Sequence, residues 1–304
     1  MIKLIVPKCQ LCKEEDVCRI DTKIRNLSNS GIKVYECKKC GVQFLYPCSE
    51  EADLKKYYNE NYRGEYAPQS YYEKGRKNYA KMENFFRDSL PEARIRAERV
   101  KKFLRKSDEI LEIGCASGYF LKAISNFVRK SYGTEWDSRY AAYAKKIGFE
   151  IKENPSDFNR KFDGIFMFHV LEHIKSPVKF LKDLKKVMKK SSILFIEMPS
   201  REDALIKLYN LQSFKDFYYQ SAHLWYFNRK SLKFVLDKAG LKSKIEYIQR
   251  YDLSNHIKWL RDKKPGGQGM FNFIFSQKLK NEYAKNLMVN KMADTLFAIA
   301  KLRK

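Results

Sequence analysis

The sequence predicts an α/β protein: a doubly wound, mostly parallel sheet with a final antiparallel strand, preceded by a small cysteine-rich module. Strand-sized apolar runs alternate with stretches of helical period from about residue 106 onward, the pattern of right-handed strand–helix–strand crossovers. One such run ends in a glycine turn, Ile110-Leu-Glu-Ile-Gly-Cys-Ala-Ser-Gly118, and passes straight into a helix. Two Cys-x-x-Cys pairs, Cys9–Cys12 and Cys37–Cys40, stand near the N-terminus.

In chain order, residues 1–48 form the cysteine module. Its pairs are separated by 24 residues, a spacing that suits a tetrahedral four-cysteine zinc ribbon in which each pair makes a tight knuckle. Gly41 fits the turn after the second pair, and residues 33–36 and 42–46 read as flanking strands. Four thiolates leave no ligand position for water, so the expected Zn2+ is structural. Cys18 and Cys48 are left over. Residues 49–105 read as a charged, helical connector with seven tyrosines between Tyr57 and Tyr79, which pack helices or line a ligand cleft. The connector ends in an amphipathic helix at 94–104.

From 106 to 304 the expected strands are 109–113, 130–135, 149–152, 162–168 and 192–197, with helices 117–128, 138–147 and 177–189 between them. Ser176-Pro177 starts the last of these helices with an N-cap and a first-turn proline. A helix at 229–239 closed by Gly240, a strand at 244–249 and a last strand at 294–301 complete the domain. Residues 251–290, which lack a clear period, read as an insertion.

The net charge of +25 points to an anionic partner. Lysine greatly outnumbers arginine and is scattered, and no arginine-rich tract is present. Base and phosphate readers prefer the arginine fork, so a small anionic substrate is favoured and nucleic acid is the alternative. No apolar run reaches the ~18 residues of a membrane span, and the N-terminal apolar stretch is too short for a secretory signal. The expected location is cytoplasmic, where disulfides are rare.

The glycine turn carries the chemistry. Gly114 and Gly118 let backbone N–H groups approach a ligand closely. Glu135, about twenty residues on, stands where an acid grips a ribose hydroxyl pair. The middle glycine of a dinucleotide fingerprint is replaced by Ala116, and no Gly-Lys-Ser/Thr follows, which excludes a P-loop.

Glu112–Gly118 resembles the first motif of class I S-adenosylmethionine-dependent methyltransferases. Phe162–Ile174, with its Leu-Glu-His ending, resembles the fourth-strand segment of the branch that includes ubiquinone-biosynthesis O-methyltransferases and polysaccharide-cluster enzymes. His223–Asn228 and Ala293–Ala300 are similar to that branch's post-strand segment and final antiparallel strand. The resemblance covers about 106–304 and implies a Rossmann-like sheet with S-adenosylmethionine as cofactor. It places Glu112 at the methionine amino group, and Gly114, Cys115 and Gly118 in close backbone contact. It also places Glu135 at the ribose, Trp136 beside the adenine, and Phe168 and His169 at the end of the fourth strand. A four-cysteine module ahead of such a domain is similar to sugar methyltransferases of natural-product pathways.

Methyl transfer to a hydroxyl needs alignment and a proton acceptor. His169, His173 and His223 are the candidate bases, with Glu172 beside them. Three readings stay open: Glu172 and His173 hold the loop while His169 packs under the cofactor; one histidine is the base; or His169, Glu172, His173 and His223 bind a divalent metal. The last resembles the pattern of small-RNA 2′-O-methyltransferases, with His169 in place of the first Glu. The expected activity is O-methylation of a sugar, glycan precursor or related small anionic metabolite. The alternatives are an RNA methyltransferase, or a non-catalytic zinc-ribbon nucleic-acid-binding protein on a methyltransferase fold.

Overall fold

The computed structural model describes residues 7–27, 31–48, 56–57 and 79–303. Most of the tyrosine-rich connector lies outside the described residues. The first strands are β1, Val17–Ile20, β2, Lys33–Cys37, and β3, Gln43–Tyr46. Helix α1, Tyr79–Val100, leads through a tight turn to β4, Glu109–Ile113. Alternation follows as expected: α2, Tyr119–Ile124; β5, Lys130–Thr134; α3, Ser138–Lys146; β6, Glu150–Lys152; β7, Phe162–Phe168; α4, Pro177–Leu184; β8, Met188–Pro199. Two short helices, α5, Ala204–Lys207, and α6, Gln212–Tyr218, precede β9, Trp225–Tyr226. Then come α7, Arg229–Lys238, and β10, Leu241–Ile248. Helices α8, Leu253–Asp262, and α9, Gln277–Val289, fill the stretch without clear period, and β11, Thr295–Leu302, closes the chain.

The helix expected over 177–189 ends at Leu184, and β8 already begins at Met188. No glycine or proline separates them in sequence, so backbone pairing rather than a local breaker sets this boundary. In α4 itself Leu181 and Leu184 are buried, as the apolar period requires.

Two sheets form. The smaller has the order β1-β2-β3-β9 and is antiparallel, with Tyr35 opposite Phe44 and Phe44 opposite Trp225. The larger has seven strands in the order β10-β11-β8-β7-β4-β5-β6, a mixed sheet with antiparallel final strands. Strand β4 is parallel to both β5 and β7. The chain therefore leaves β4 toward one side first and returns to its other side with β7. Open α/β sheets bind ligands at such a reversal, beyond the carboxyl ends of the strands.

By compactness the chain divides into two units. One holds residues 49–170, 179–195 and 300–304. Its core is built on Ile110, Leu111, Phe120, Ile165 and Phe166, all with no solvent exposure, and Phe166 stacks on Phe195 with ring centroids 4.8 Å apart. The other unit holds residues 1–48, 171–178 and 196–299. There Val34, Leu45, Phe214, Tyr218, Tyr226 and Trp259 share an aromatic cluster, so the cysteine module and the segment around β9 have a common core.

Candidate active site and metal centre

At the carboxyl end of β4 the backbone turns sharply through Gly114 (φ 69°), Ala116 (φ 46°) and Gly118 (φ 81°). A Cβ on Gly114 would lie 2.8 Å from Val170 Cγ2, so only glycine fits both the left-handed backbone and the space. Glu135 pins this loop: Oε2 accepts the N–H of Ala116 at 2.8 Å, and Oε1 accepts that of Asp137 at 2.8 Å. A carboxylate oxygen has a further lone pair, so the same group retains acceptor capacity for a ribose hydroxyl. Cys115 is fully buried, and its N–H donates to Thr134 O at 2.9 Å, so this residue contributes backbone to the turn rather than a thiol. Trp136 is half-buried just before Asp137, the N-cap of α3.

Glu112, one residue before the end of β4, is 2% exposed, and its Oε2 is buried without a hydrogen-bond partner among the described residues. Burial, and secondarily the Glu135 charge, raise its carboxyl well above the ordinary range, while the Arg96 guanidinium pulls the other way. An orphaned carboxylate oxygen in this position fits a cationic ligand group such as an ammonium. Arg96, in α1, carries no sequence signal that marks it. Its guanidinium lies over the Phe168 ring at 4.7 Å and pairs with Glu92 at 3.0 Å. Phe168 is therefore a packing residue, with Phe120 edge-on at 4.7 Å. His169, immediately beyond β7, holds a left-handed backbone (φ 56°), which costs a non-glycine residue about 1–2 kcal/mol and recurs where a side chain must be aimed.

The second unit collects Glu172, His173 and His223, each offering a ligand or acceptor atom within 4.8 Å of the others. All three are buried. The turn at Leu171–His173 is 3-10 rather than α, so the four-residue spacing of His169 and His173 does not place them on one α-helical face. His173 Nδ1 donates to Ala222 O at 2.7 Å, which leaves the lone pair on Nε2 of the neutral ring. For His223 the order is opposite. Arg25 donates to Gln220 Oε1, so the Gln220 amide nitrogen faces His223 Nε2 at 2.7 Å and puts the imidazole proton on Nδ1. The two rings meet edge-on with centroids 4.7 Å apart. Arg25, Gln220 and Ala222 carry no motif and leave no signal in the sequence. They converge because residue 25 bridges to residue 220 and β3 pairs with β9. A buried carboxylate beside two imidazoles of opposite tautomer can accept, hold and return one proton.

The four cysteines converge as well, with Cys9 Sγ 3.7 Å from Cys40 Sγ and Cys12 Sγ 3.4 Å from Cys37 Sγ. Tetrahedral Zn–S bonds place thiolates about 3.8 Å apart, so the donor set and spacing fit zinc. The knuckles close through Lys13 N–H to Cys9 O at 2.8 Å and Gly41 N–H to Cys37 O at 2.9 Å. Gly41 (φ 73°) also leaves room for the Asn228 side chain, 2.9 Å from where a Cβ would stand.

A methyltransferase-domain family matches residues 81–244, more than half of the chain. The chain belongs to that methyltransferase family. It is an S-adenosylmethionine-dependent methyltransferase, as the glycine turn implied. Among its relatives is the tRNA U34 carboxymethyltransferase of Campylobacter jejuni (strain 81-176), 26% identical in a 214-residue alignment that covers 60% of this chain and 72% of that one. An uncharacterised protein of Methanocaldococcus jannaschii is 24% identical over 173 residues, 56% of this chain and 82% of its own. The crystal structure of a SAM-dependent methyltransferase from Archaeoglobus fulgidus shares the fold at a TM-score of 0.50 and 22% identity, covering 73% of this chain and 99% of that one. No helix among the described residues is long and apolar enough to cross a membrane.

Proposed function

We propose that this methyltransferase modifies RNA, with transfer RNA as the first acceptor class. The observation that carries this reading is the relationship to enzymes named tRNA U34 carboxymethyltransferase, over 72% of the length of the one described above. The net charge of +25 supports it, because phosphate neutralisation dominates nucleic-acid affinity. In this reading Glu112 holds the cofactor's amino group, the backbone of 114–118 lies against it, and Glu135 takes the ribose. S-adenosylmethionine supplies an electrophilic methyl group. The chain's own part is to orient the acceptor and take its proton: His173 Nε2 is the base, and the Glu172 carboxylate balances the charge that develops on its ring. The cysteine cluster holds a structural zinc that braces β2, β3 and β9.

Incubating the protein with methyl-labelled S-adenosylmethionine and total tRNA, followed by nucleoside mass spectrometry, tests the proposal. Label in one nucleoside, lost in His173→Ala, is expected; absence of label from every RNA fraction overturns it. The same spectra tell a methyl from a carboxymethyl product.

A second reading, a small anionic sugar acceptor, is favoured by the arginines. Arg139, Arg160, Arg201 and Arg250 all pair with carboxylates of the protein, and lysine greatly outnumbers arginine, so lysines are the main surface cations. Label appearing in sugar phosphates and not in RNA selects that reading.

A further inference from the structure

The stretch between β10 and β11 borders an open surface cavity of about 370 Å³, within the range of small-molecule sites. Its walls include Gln249, Tyr251, Asn272, Gln277, Lys280 and Asn281. Four of these six carry carboxamides. Among the described residues of the wall the one carboxylate, Asp252, is spent on the backbone N–H groups of Asn255 and Gly269.

The amides are held in defined orientations. Gln249 Oε1 accepts the N–H of Asp294 at 3.2 Å, while its Nε2 donates to Tyr251 O at 2.7 Å and faces His256 Nε2 at 3.3 Å. Gln277 Nε2 donates to Asn281 Oδ1 at 2.7 Å, and Lys280 Nζ donates to Asn272 Oδ1 at 2.7 Å. Gln277 therefore keeps its acceptor Oε1, and Asn281 and Asn272 keep donor Nδ2 groups. An acceptor beside donors on oriented carboxamides is the chemistry that reads the edge of a nucleobase. Tyr251 is 46% exposed, and the Arg250 guanidinium backs its ring at 5.7 Å, so an aromatic surface suited to stacking stands at the cavity. Lys280 supplies positive charge, and Lys263, Lys264 and Lys278 are exposed on the same stretch. Phe273, next in the chain after Asn272, is 81% exposed.

We infer that this cavity is a nucleotide-recognition site that takes one unstacked nucleotide of single-stranded RNA, its base edge on the carboxamides, its face on Tyr251 and its phosphate on Lys280. As a statement about RNA it rests on the acceptor class proposed above.

Titration calorimetry on the full chain tests it, using the four nucleoside 5′-monophosphates, the matching nucleosides and ribose 5-phosphate, with wild type, Asn281→Ala and Lys280→Ala. Helix α9 presents residue 281 to solvent, so that variant keeps the fold. At least one monophosphate is expected to bind, about tenfold more weakly to Asn281→Ala, as loss of a base-edge contact implies. Lys280→Ala should erase the preference for monophosphate over nucleoside, and both variants should raise KM for tRNA with kcat kept. Equal binding to wild type and Asn281→Ala, or ribose 5-phosphate binding as well as any nucleotide, overturns the site. If tRNA is methylated with an unchanged KM in both variants, the acceptor class stands and the site falls. If the variants lose nucleotide binding while wild type methylates no RNA, the site stands and the RNA acceptor falls.

Discussion

Glu112 concentrates the cofactor question in one side chain. It is buried, its Oε2 has no hydrogen-bond partner among the described residues, and desolvation raises its carboxyl well above the ordinary 4.5, against the pull of Arg96 and with a smaller push from the Glu135 charge. A group whose folded pKa is raised contributes stability below its unfolded pKa and loses it as pH rises. In the cofactor-free protein Glu112 therefore works against the fold at neutral and alkaline pH. Glu112→Gln removes that penalty along with the charge. The variant should unfold at a higher temperature than wild type at pH 8, with the difference shrinking toward pH 4. It should also bind S-adenosylmethionine roughly tenfold or more weakly, the scale of a lost charged hydrogen bond. Calorimetry showing wild-type affinity in Glu112→Gln would remove this residue from the cofactor site. The acid at position 112 was legible from its place in the glycine motif. Its counter-charge was not, because Arg96 approaches from a helix whose sequence reads as an ordinary amphipathic surface.

Among the elements, the cysteine knuckles have a consequence beyond their own loop. Strand β2 carries Cys37, pairs with β3, and β3 pairs with β9, two residues after His223. Arg25, from the same module, orients Gln220 and through it His223. If the cluster holds the proposed zinc, its loss should therefore disturb the histidine pair while leaving the loop at 114–118 alone. Cys37→Ser, or stripping the metal with a chelator, is expected to abolish methyl transfer and keep the Kd for S-adenosylmethionine within about twofold, as independent sites do. A metal-free protein with full turnover would make the cluster irrelevant to the histidines. Helix and strand positions were largely readable, since strict alternation with glycine and proline punctuation leaves few arrangements. The α4–β8 boundary was not, because no breaker residue marks it.

At the scale of the whole molecule the charge of +25 gives the two proposed acceptor classes different salt dependences. Phosphate contacts release counterions, so affinity for RNA should fall steeply with salt, by roughly a hundredfold or more between about 50 and 200 mM. A small acceptor with one or two charges would show a shallow dependence. Filter binding of tRNA across that range, set beside KM for any sugar phosphate that accepts label, reads the difference. A flat response for tRNA would assign the lysines to the bare surface rather than to a partner.

Local composition was enough to point to the methyl donor's family, the four-cysteine cluster and the order of the α/β elements, because each depends on residues close together in sequence. A glycine turn, a Cys-x-x-Cys knuckle and an apolar run are complete within about ten residues, and backbone sterics or ligand spacing enforces them wherever they occur. Tertiary structure alone decided which histidines meet. His173 and His223 come together with Glu172 while His169 belongs to the other unit, and the tautomers of the pair are set by Ala222, Gln220 and Arg25. Hydrogen bonds across 49 to 195 residues of chain leave no periodic trace, so only folding brings those donors and acceptors to one place.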